Sequence, residues 1–307
     1  MQPIRQGVAL SVLSSFLFAT LYYYTTVLPP LKGTEVFAWR ILLCLPVLAL
    51  AIHRARGWNE ISALHARLRH EPRLWLLFML SAGLIGVQLW LFAWAPLNQK
   101  GLDVSMGYFL LPMVMVLVGR VFYAERLSRV QTIAVLVAAV GVANELWRLG
   151  SFSWATALVM FGYPPYFMLR RRLHIGSLST LWFDMMFITP AALFILLSQD
   201  FSVMQQFSQF PRLFGLVPLL GLISSAALLA YISASRLLPL GLFGILGYVE
   251  PVLLFWVAYL FLHEAVSYQA WFTYVPIWIA VVLIAGEGAV AWVRTGNSKK
   301  ETPRQQT

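Results

Sequence analysis

Apolar runs of about 20 residues recur along the chain with only short polar breaks between them, and that feature constrains the fold more than any other. Each run is long enough, as a helix rising 1.5 Å per residue, to cross the hydrocarbon layer of a bilayer. Backbone amides and carbonyls in lipid must bond within their own segment, so the runs are read as helices. Ten spans are expected: Gly7 to Leu28, Glu35 to His53, Leu74 to Leu97, Val104 to Tyr123, Val130 to Trp147, Trp154 to Arg170, Leu178 to Leu197, Leu213 to Leu237, Gly241 to Leu262 and Tyr268 to Val293. The residue balance agrees, since 60% of the 307 residues are hydrophobic and 11% charged, too few polar groups to coat a water-facing domain. A soluble enzyme and a nucleic-acid binder are both excluded. The fold class expected is an all-α membrane protein with ten transmembrane helices. The first run is too long for a signal-peptide core and no small-residue cleavage site follows it, so it is expected to be retained.

Position, more than amount, explains the net charge of +10. With the N-terminus inside, 17 Lys and Arg fall on the cytoplasmic side, those at the cytoplasmic ends of spans included, and 4 (Lys32, Lys100, Arg148, Arg212) outside, with Arg40 left inside a span. Positive residues are retained in short cytoplasmic loops, so both termini are expected in the cytoplasm. The basic residues are spread over several loops, and no nucleic-acid patch is formed. In the longest loop, 54–73, Ile61, Leu64 and Leu68 recur at helical spacing beside Arg67 and Arg69. That pattern reads either as an amphipathic helix on the lipid surface or as a solvated linker. A polar tail, 294–307, is expected to be disordered. Cys44 is read as a small buried hydrophobe.

The chain also repeats itself. Pro112 precedes Glu125 by 13 residues and Ser128 by 16, and Pro251 precedes Glu264 and Ser267 by the same intervals, an offset of 139 between copies. Gly107-Tyr108 and Gly247-Tyr248 precede the two prolines. Arg40 stands six residues before Pro46 and Asp184 six before Pro190, an offset of 144. Two five-span units, 1–150 and 151–293, follow, and an odd number of spans makes the second copy enter the membrane inverted.

These residues resemble the drug/metabolite transporter superfamily, more narrowly the EamA-type permeases and most closely the RarD family, named for chloramphenicol sensitivity. The likeness rests on Arg5-Gln6-Gly7-Val8, on Trp94-Ala95-Pro96-Leu97-Asn98 before Gly107-Tyr108-Phe109, and on Tyr248 with Pro251; it runs from Arg5 to Trp292. It implies export or exchange of small organic molecules by alternating access, in the bacterial inner membrane. Phe18-Ala19, Pro164-Pro165 and Glu250 depart from the family pattern, so the family assigns Glu250 no role.

Candidate residues follow from depth and chemistry. Tyr22, Gln88, Trp90, Tyr163, Tyr166, Tyr248 and Glu250 are expected to line a central cavity, because tyrosine offers an apolar face with one hydroxyl and suits aromatic or amphipathic cargo. Tyr23 and Tyr24 fit an interfacial aromatic belt. Pro164-Pro165 would break the sixth span and free carbonyls at the site. Glu250, ten residues into the ninth span, lies near the midplane, where a carboxylate needs a wet cavity, a proton or a cationic partner. Arg40, Asp184, Glu125 and Glu264 are read as gating or structural polar groups; the first two are symmetry-related but too far apart for an ion pair, and the glutamates suit helix capping.

His53, His65, His70, His174 and His263 have no partners at ligand spacing, so no metal is expected, and no phosphate loop, nucleophile elbow or metalloprotease motif is present. No cofactor and no catalytic residue are expected. The leading reading is a secondary carrier of small molecules, embedded among membrane lipids as a monomer or homodimer. A lipid-modifying membrane enzyme is the alternative, disfavoured because the 12 acidic residues are scattered singly. A channel is the third.

Overall fold

The computed structural model describes residues 2–124, 128–149, 153–173, 177–198, 203–238, 243, 246–283 and 286–287. Among them the regular structure is helical, without strands. Twelve helices are named here: α1 Gln2–Tyr24, α2 Gly33–Arg54, α3 Trp58–His70, α4 Pro72–Trp94, α5 Gly101–Tyr123, α6 Arg129–Leu149, α7 Trp154–Leu173, α8 Ser177–Leu197, α9 Val203–Gln209, α10 Leu213–Leu237, α11 Val249–Trp256 and α12 Tyr268–Leu283. Six of the apolar spans are both long and apolar enough to cross a membrane: Ile4–Val27, Gly33–Arg54, Pro72–Asn98, Gly101–Tyr123, Leu178–Leu197 and Leu213–Ser235. The stretches Val249–Phe261 and Tyr268–Leu283 are apolar but shorter within the described residues.

The bundle is apolar outside and polar within. Leu76, Leu136, Phe194, Leu222 and Val282 are each more than 60% exposed, whereas Glu35, Arg40, Ser81, Gln88 and Asp184 are buried. Such an exterior is tolerable only against lipid.

Local chemistry sets the helix ends. The Lys32 amide donates to the Glu35 carboxylate (2.8 Å) at the start of α2. At α6, Ser128 and Gln131 cap one another, amide to side chain, at 3.0 and 3.1 Å. Ser267 accepts from the Ala270 amide at the start of α12 (3.2 Å). α5 ends on Ala124 in the left-handed region (φ 52°), and His263, 139 residues on, takes the same conformation (φ 55°) after α11. Each of these residues directly precedes a repeat glutamate.

Two expectations are corrected. α7 runs unbroken through Pro164 and Pro165, so the proline pair makes no break. The interruption is at Gly247-Tyr248, a turn from which α11 starts, and Glu250 stands in the first turn of that helix instead of ten residues into a continuous one. α3 is indeed amphipathic, but its apolar face is turned to the protein: Ile61, Leu64 and Leu68 are buried, and Trp58 meets Trp182 of α8 edge-on at 5.5 Å.

Helix pairing positions the interior. α1 packs on α10, and α4 on α7; α1 also meets α11, and α5 meets α7; α2 meets α10, and α4 meets α8. α2 packs on α8 and α5 on α11. α6 crosses α12 where Gly141 allows the Thr273 carbonyl to approach, a point where a Cβ would lie 2.6 Å from that oxygen. Asn144 and Glu145 of α6 both hydrogen-bond the Thr273 hydroxyl at this crossing.

Candidate functional site

Besides the Asn144–Glu145–Thr273 contact, three polar clusters lie inside the bundle among the described residues. The first is at mid-depth. Arg40 of α2, seven residues from the start of its helix, is 7% exposed and lays its guanidinium over the face of Phe92 (5.2 Å to the ring centroid). Its Nη1 has no hydrogen-bond partner. Charge–charge interaction links Arg40 with Glu250, and Tyr108 and Tyr163 lie within the same electrostatic reach. Tyr108 and Tyr163 share one hydrogen bond between their hydroxyls at 2.9 Å, joining α5 to α7. Glu250 is half-buried, eleven residues before Phe261 and so about 16 Å of helix rise from that end. Tyr231 of α10 is also near enough to feel the Glu250 charge. Gln88 of α4 donates to the Leu158 carbonyl (2.8 Å), while its buried Oε1 has no partner.

The second cluster ties α4, α7 and α8 together. Ser81 and Tyr166 donate to the two oxygens of the fully buried Asp184, at 2.8 and 3.0 Å. Arg170 donates to the Tyr166 hydroxyl at 2.8 Å. The Asp184 charge is thus spread over two donors, one of them polarised by an arginine. Arg40 is not among its partners.

The third cluster closes the opposite end. The Glu264 carboxylate accepts from the amides of Gly101 (2.6 Å) and Leu102 (2.8 Å), the orphan donors of the α5 N-terminus. Burial raises its carboxyl above the usual carboxylate range, and the two amides partly offset that. Gly101 is needed there, because a Cβ would lie 2.6 Å from Glu264 Oε1. Tyr22, fully buried, points its hydroxyl at the Gly101 carbonyl (3.5 Å) and packs edge-on to Phe92. Beside them Asp103 bonds Lys100 (2.9 Å) and accepts from Ser153 (2.7 Å), next to a cleft of about 280 Å³.

The expected site residues are therefore divided. Tyr163, Gln88 and Glu250 lie in the central region with Arg40. Tyr166 belongs with Asp184, and Tyr22 with Glu264. Trp90 stacks on Trp94 and donates to Thr34 (3.1 Å), which ties it to the start of α2. Tyr248 is buried at the turn before α11, its hydroxyl unpartnered. Glu125 lies outside the described residues. Sequence reasoning left out Tyr108, Phe92 and Tyr231. The repeated Gly-Tyr pair was a signal for Tyr108; nothing in the spacing marked the other two.

No family model matches the chain. It is 49% identical over 287 residues to the chloramphenicol-sensitive protein RarD of Pseudomonas aeruginosa, across 92% of this chain and 95% of that protein. An uncharacterized transporter of Haemophilus influenzae is 38% identical over 289 residues, across 94% and 96%. Protein RarD of Salmonella typhi is 27% identical over 280 residues, across 91% and 94%. A solved crystal structure with 16% identity superposes over 91% of this chain and 96% of its own at a TM-score of 0.55, a likeness of fold alone. The lipid-facing shell, the polar interior and these relatives define a multi-pass membrane transporter. The chain belongs to the RarD family.

Proposed function

We propose that the protein is a secondary carrier in the bacterial inner membrane, moving a small organic molecule by alternating access between two inverted five-helix halves, 1–150 and 151–293. Ten crossings are assigned to α1, α2, α4, α5 and α6 and, in the same order, to α7, α8, α10, the α11 segment and the α12 segment. The observation that carries this reading is the pairing of helices. Exchanging the halves turns the α1–α10 contact into α7–α4, α1–α11 into α7–α5 and α2–α10 into α8–α4, and each partner contact is present. The contacts α2–α8, α5–α11 and α6–α12 map onto themselves. The left-handed residues Ala124 and His263 fall at the same repeat position. A two-fold of this kind offers two states of equal architecture, one open to each side.

Under the charge rule both termini and the Arg170 cluster face the cytoplasm, and the Glu264 cluster faces outward. Those two clusters are the gating polar groups. The cargo binds between the halves at Arg40, Tyr108, Tyr163, Gln88 and Glu250, with Tyr248 at the hinge-like turn before α11. Purified protein in liposomes tests the reading: flux of a metabolite panel, with and without a proton gradient, is expected to saturate with concentration. Linear, non-saturating permeation or an ohmic conductance would overturn it in favour of a pore.

A further inference from the structure

We propose that the α2–α8 seam is the pivot of the carrier, strapped at one end by α3 and at the other by α9, each strap reaching from its own half onto the other. The proposal rests on the carrier reading and names the part of the bundle that stays closed while the halves rock. α3 lies between α2 and α4, and α9 between α8 and α10, the same place in each half. Each is fastened to the next helix of its own half. The Trp75 indole of α4 donates to the Leu68 carbonyl of α3 (3.0 Å), and Phe207 of α9 meets Phe214 of α10 edge-on at 5.0 Å. Each also crosses over: Trp58 of α3 meets Trp182 of α8 at 5.5 Å, and Phe207 of α9 meets Trp39 of α2 at 5.7 Å. The 144-residue offset of the repeat carries Trp39 to position 183, beside Trp182, so the two crossings are copies of one contact.

Polar bonds reinforce the α9 crossing. Gln206 donates to Oε1 of the buried Glu35 (3.3 Å), whose Oε2 holds the Lys32 amide at the head of α2, and Arg212, just before α10, donates to the Pro29 carbonyl. The α3 crossing is apolar, with Ile61, Leu64 and Leu68 buried beneath the helix. α2 and α8 pack on each other between the straps, so α3 joins the end of α2 to α8, and α9 joins the end of α8 to the head of α2. Parting this seam at either end would uncover an aromatic pair and the apolar residues packed with it. The outer contact of α1 with the α11 segment is slighter: Tyr23 and Phe261, both exposed, meet at 5.5 Å, and the polar tie at that end is the Glu264 carboxylate. Opening there on one side, and at the equivalent α7–α5 contact on the other, leaves both straps in place.

A test without cargo is available. In a Cys44→Ser background, Tyr163→Cys reports opening, because a membrane-impermeant maleimide is offered from outside in intact cells and from inside in inverted membrane vesicles. p-Benzoylphenylalanine placed at position 58, 207 or 23 then staples one contact on irradiation without consuming the thiol, and peptide mass identifies both the crosslink and the labelled fraction. Stapling α3 to α8 from position 58, or α9 to α2 from position 207, is expected to leave labelling of residue 163 within about twofold from both sides. Stapling α1 to the α11 segment from position 23 is expected to cut labelling from outside at least about tenfold and leave that from inside within about twofold. Loss of labelling from either side with one strap stapled would overturn the proposal. So would the absence of both strap crosslinks, or outside labelling that survives the staple from position 23. If the protein with the larger ring at position 207 does not fold, position 58 decides alone. A residue 163 reached from neither side in the unstapled protein would instead remove the carrier reading.

Discussion

Glu264 shows how one carboxylate can hold two halves of a sequence together. It follows α11, yet the amides it accepts from belong to Gly101 and Leu102 at the head of α5. Removing the carboxylate leaves two orphan donors in a buried place, each costing about 1–3 kcal/mol. Glu264→Ala is therefore expected to lower the melting temperature of the detergent-solubilised protein by several degrees. Glu264→Gln retains one acceptor oxygen and should recover part of the loss; a melting temperature unchanged in both variants would show that water replaces the contact freely. The residue could be picked out in the sequence as a helix-capping carboxylate, but which helix it caps could not, because the partner amides are 162 and 163 residues away. Arg40 and Glu250 were legible for a different reason: an ionisable group in an apolar span stands out by its cost. Tyr108 was marked only by the repeated Gly-Tyr pair, and Phe92 and Tyr231 did not stand out at all. In a chain with 12 tyrosines and 21 phenylalanines, aromatic identity selects nothing, and the rotation of each helix about its axis decides which rings face inward.

Among the elements, close helix crossings depend on missing side chains. At Gly107, where α5 crosses α7, a Cβ would meet the Val159 Cβ at 2.6 Å and the Thr156 carbonyl at 3.0 Å. Gly83 of α4 has open space at the same place. Gly107→Val is accordingly expected to destabilise by about 1–3 kcal/mol through overpacking, and Gly83→Val, which carries the same propensity cost without the clash, by clearly less. Comparing the melting temperatures and monodisperse yields of the pair checks this, and equal losses would mean that the crossing yields to accommodate the side chain. Hydropathy located the six long apolar spans because apolar length is a property of local sequence. It misplaced the interruption for a physical reason: Pro164 and Pro165 lack amide donors, but a helix tolerates that when its neighbours supply packing, and α7 lies against both α4 and α5. Gly247-Tyr248 contains no proline; the Gly247 amide still bonds the Phe243 carbonyl (3.0 Å), and α11 begins at Val249 just after the turn. The α3 helix was ambiguous in the same way, because an amphipathic stripe specifies an apolar partner without saying whether lipid or protein supplies it.

For the whole molecule, the charge asymmetry and the repeat make a joint demand. In the topology we propose, seventeen basic residues stand on one side against four on the other, the charge rule puts the N-terminus inside, and an odd number of crossings per half inverts the second half. That proposal requires the loop holding Arg67 to face the cytoplasm and the one holding Lys100 the exterior. Cys44 is the only cysteine and is buried, so it contributes little background to thiol labelling, and its replacement by serine removes what remains. In that background, Lys100→Cys is expected to react with a membrane-impermeant maleimide in intact cells, and Arg67→Cys only after permeabilisation. Both positions are partly or well exposed, at 37% and 55% of the side-chain surface, so reactivity reports sidedness more than burial. Labelling of residue 67 from outside would reverse the orientation assigned to both gates. Labelling of both from one side would be graver, because these loops flank the single helix α4, and a chain in which α4 fails to cross cannot contain two equivalent inverted halves.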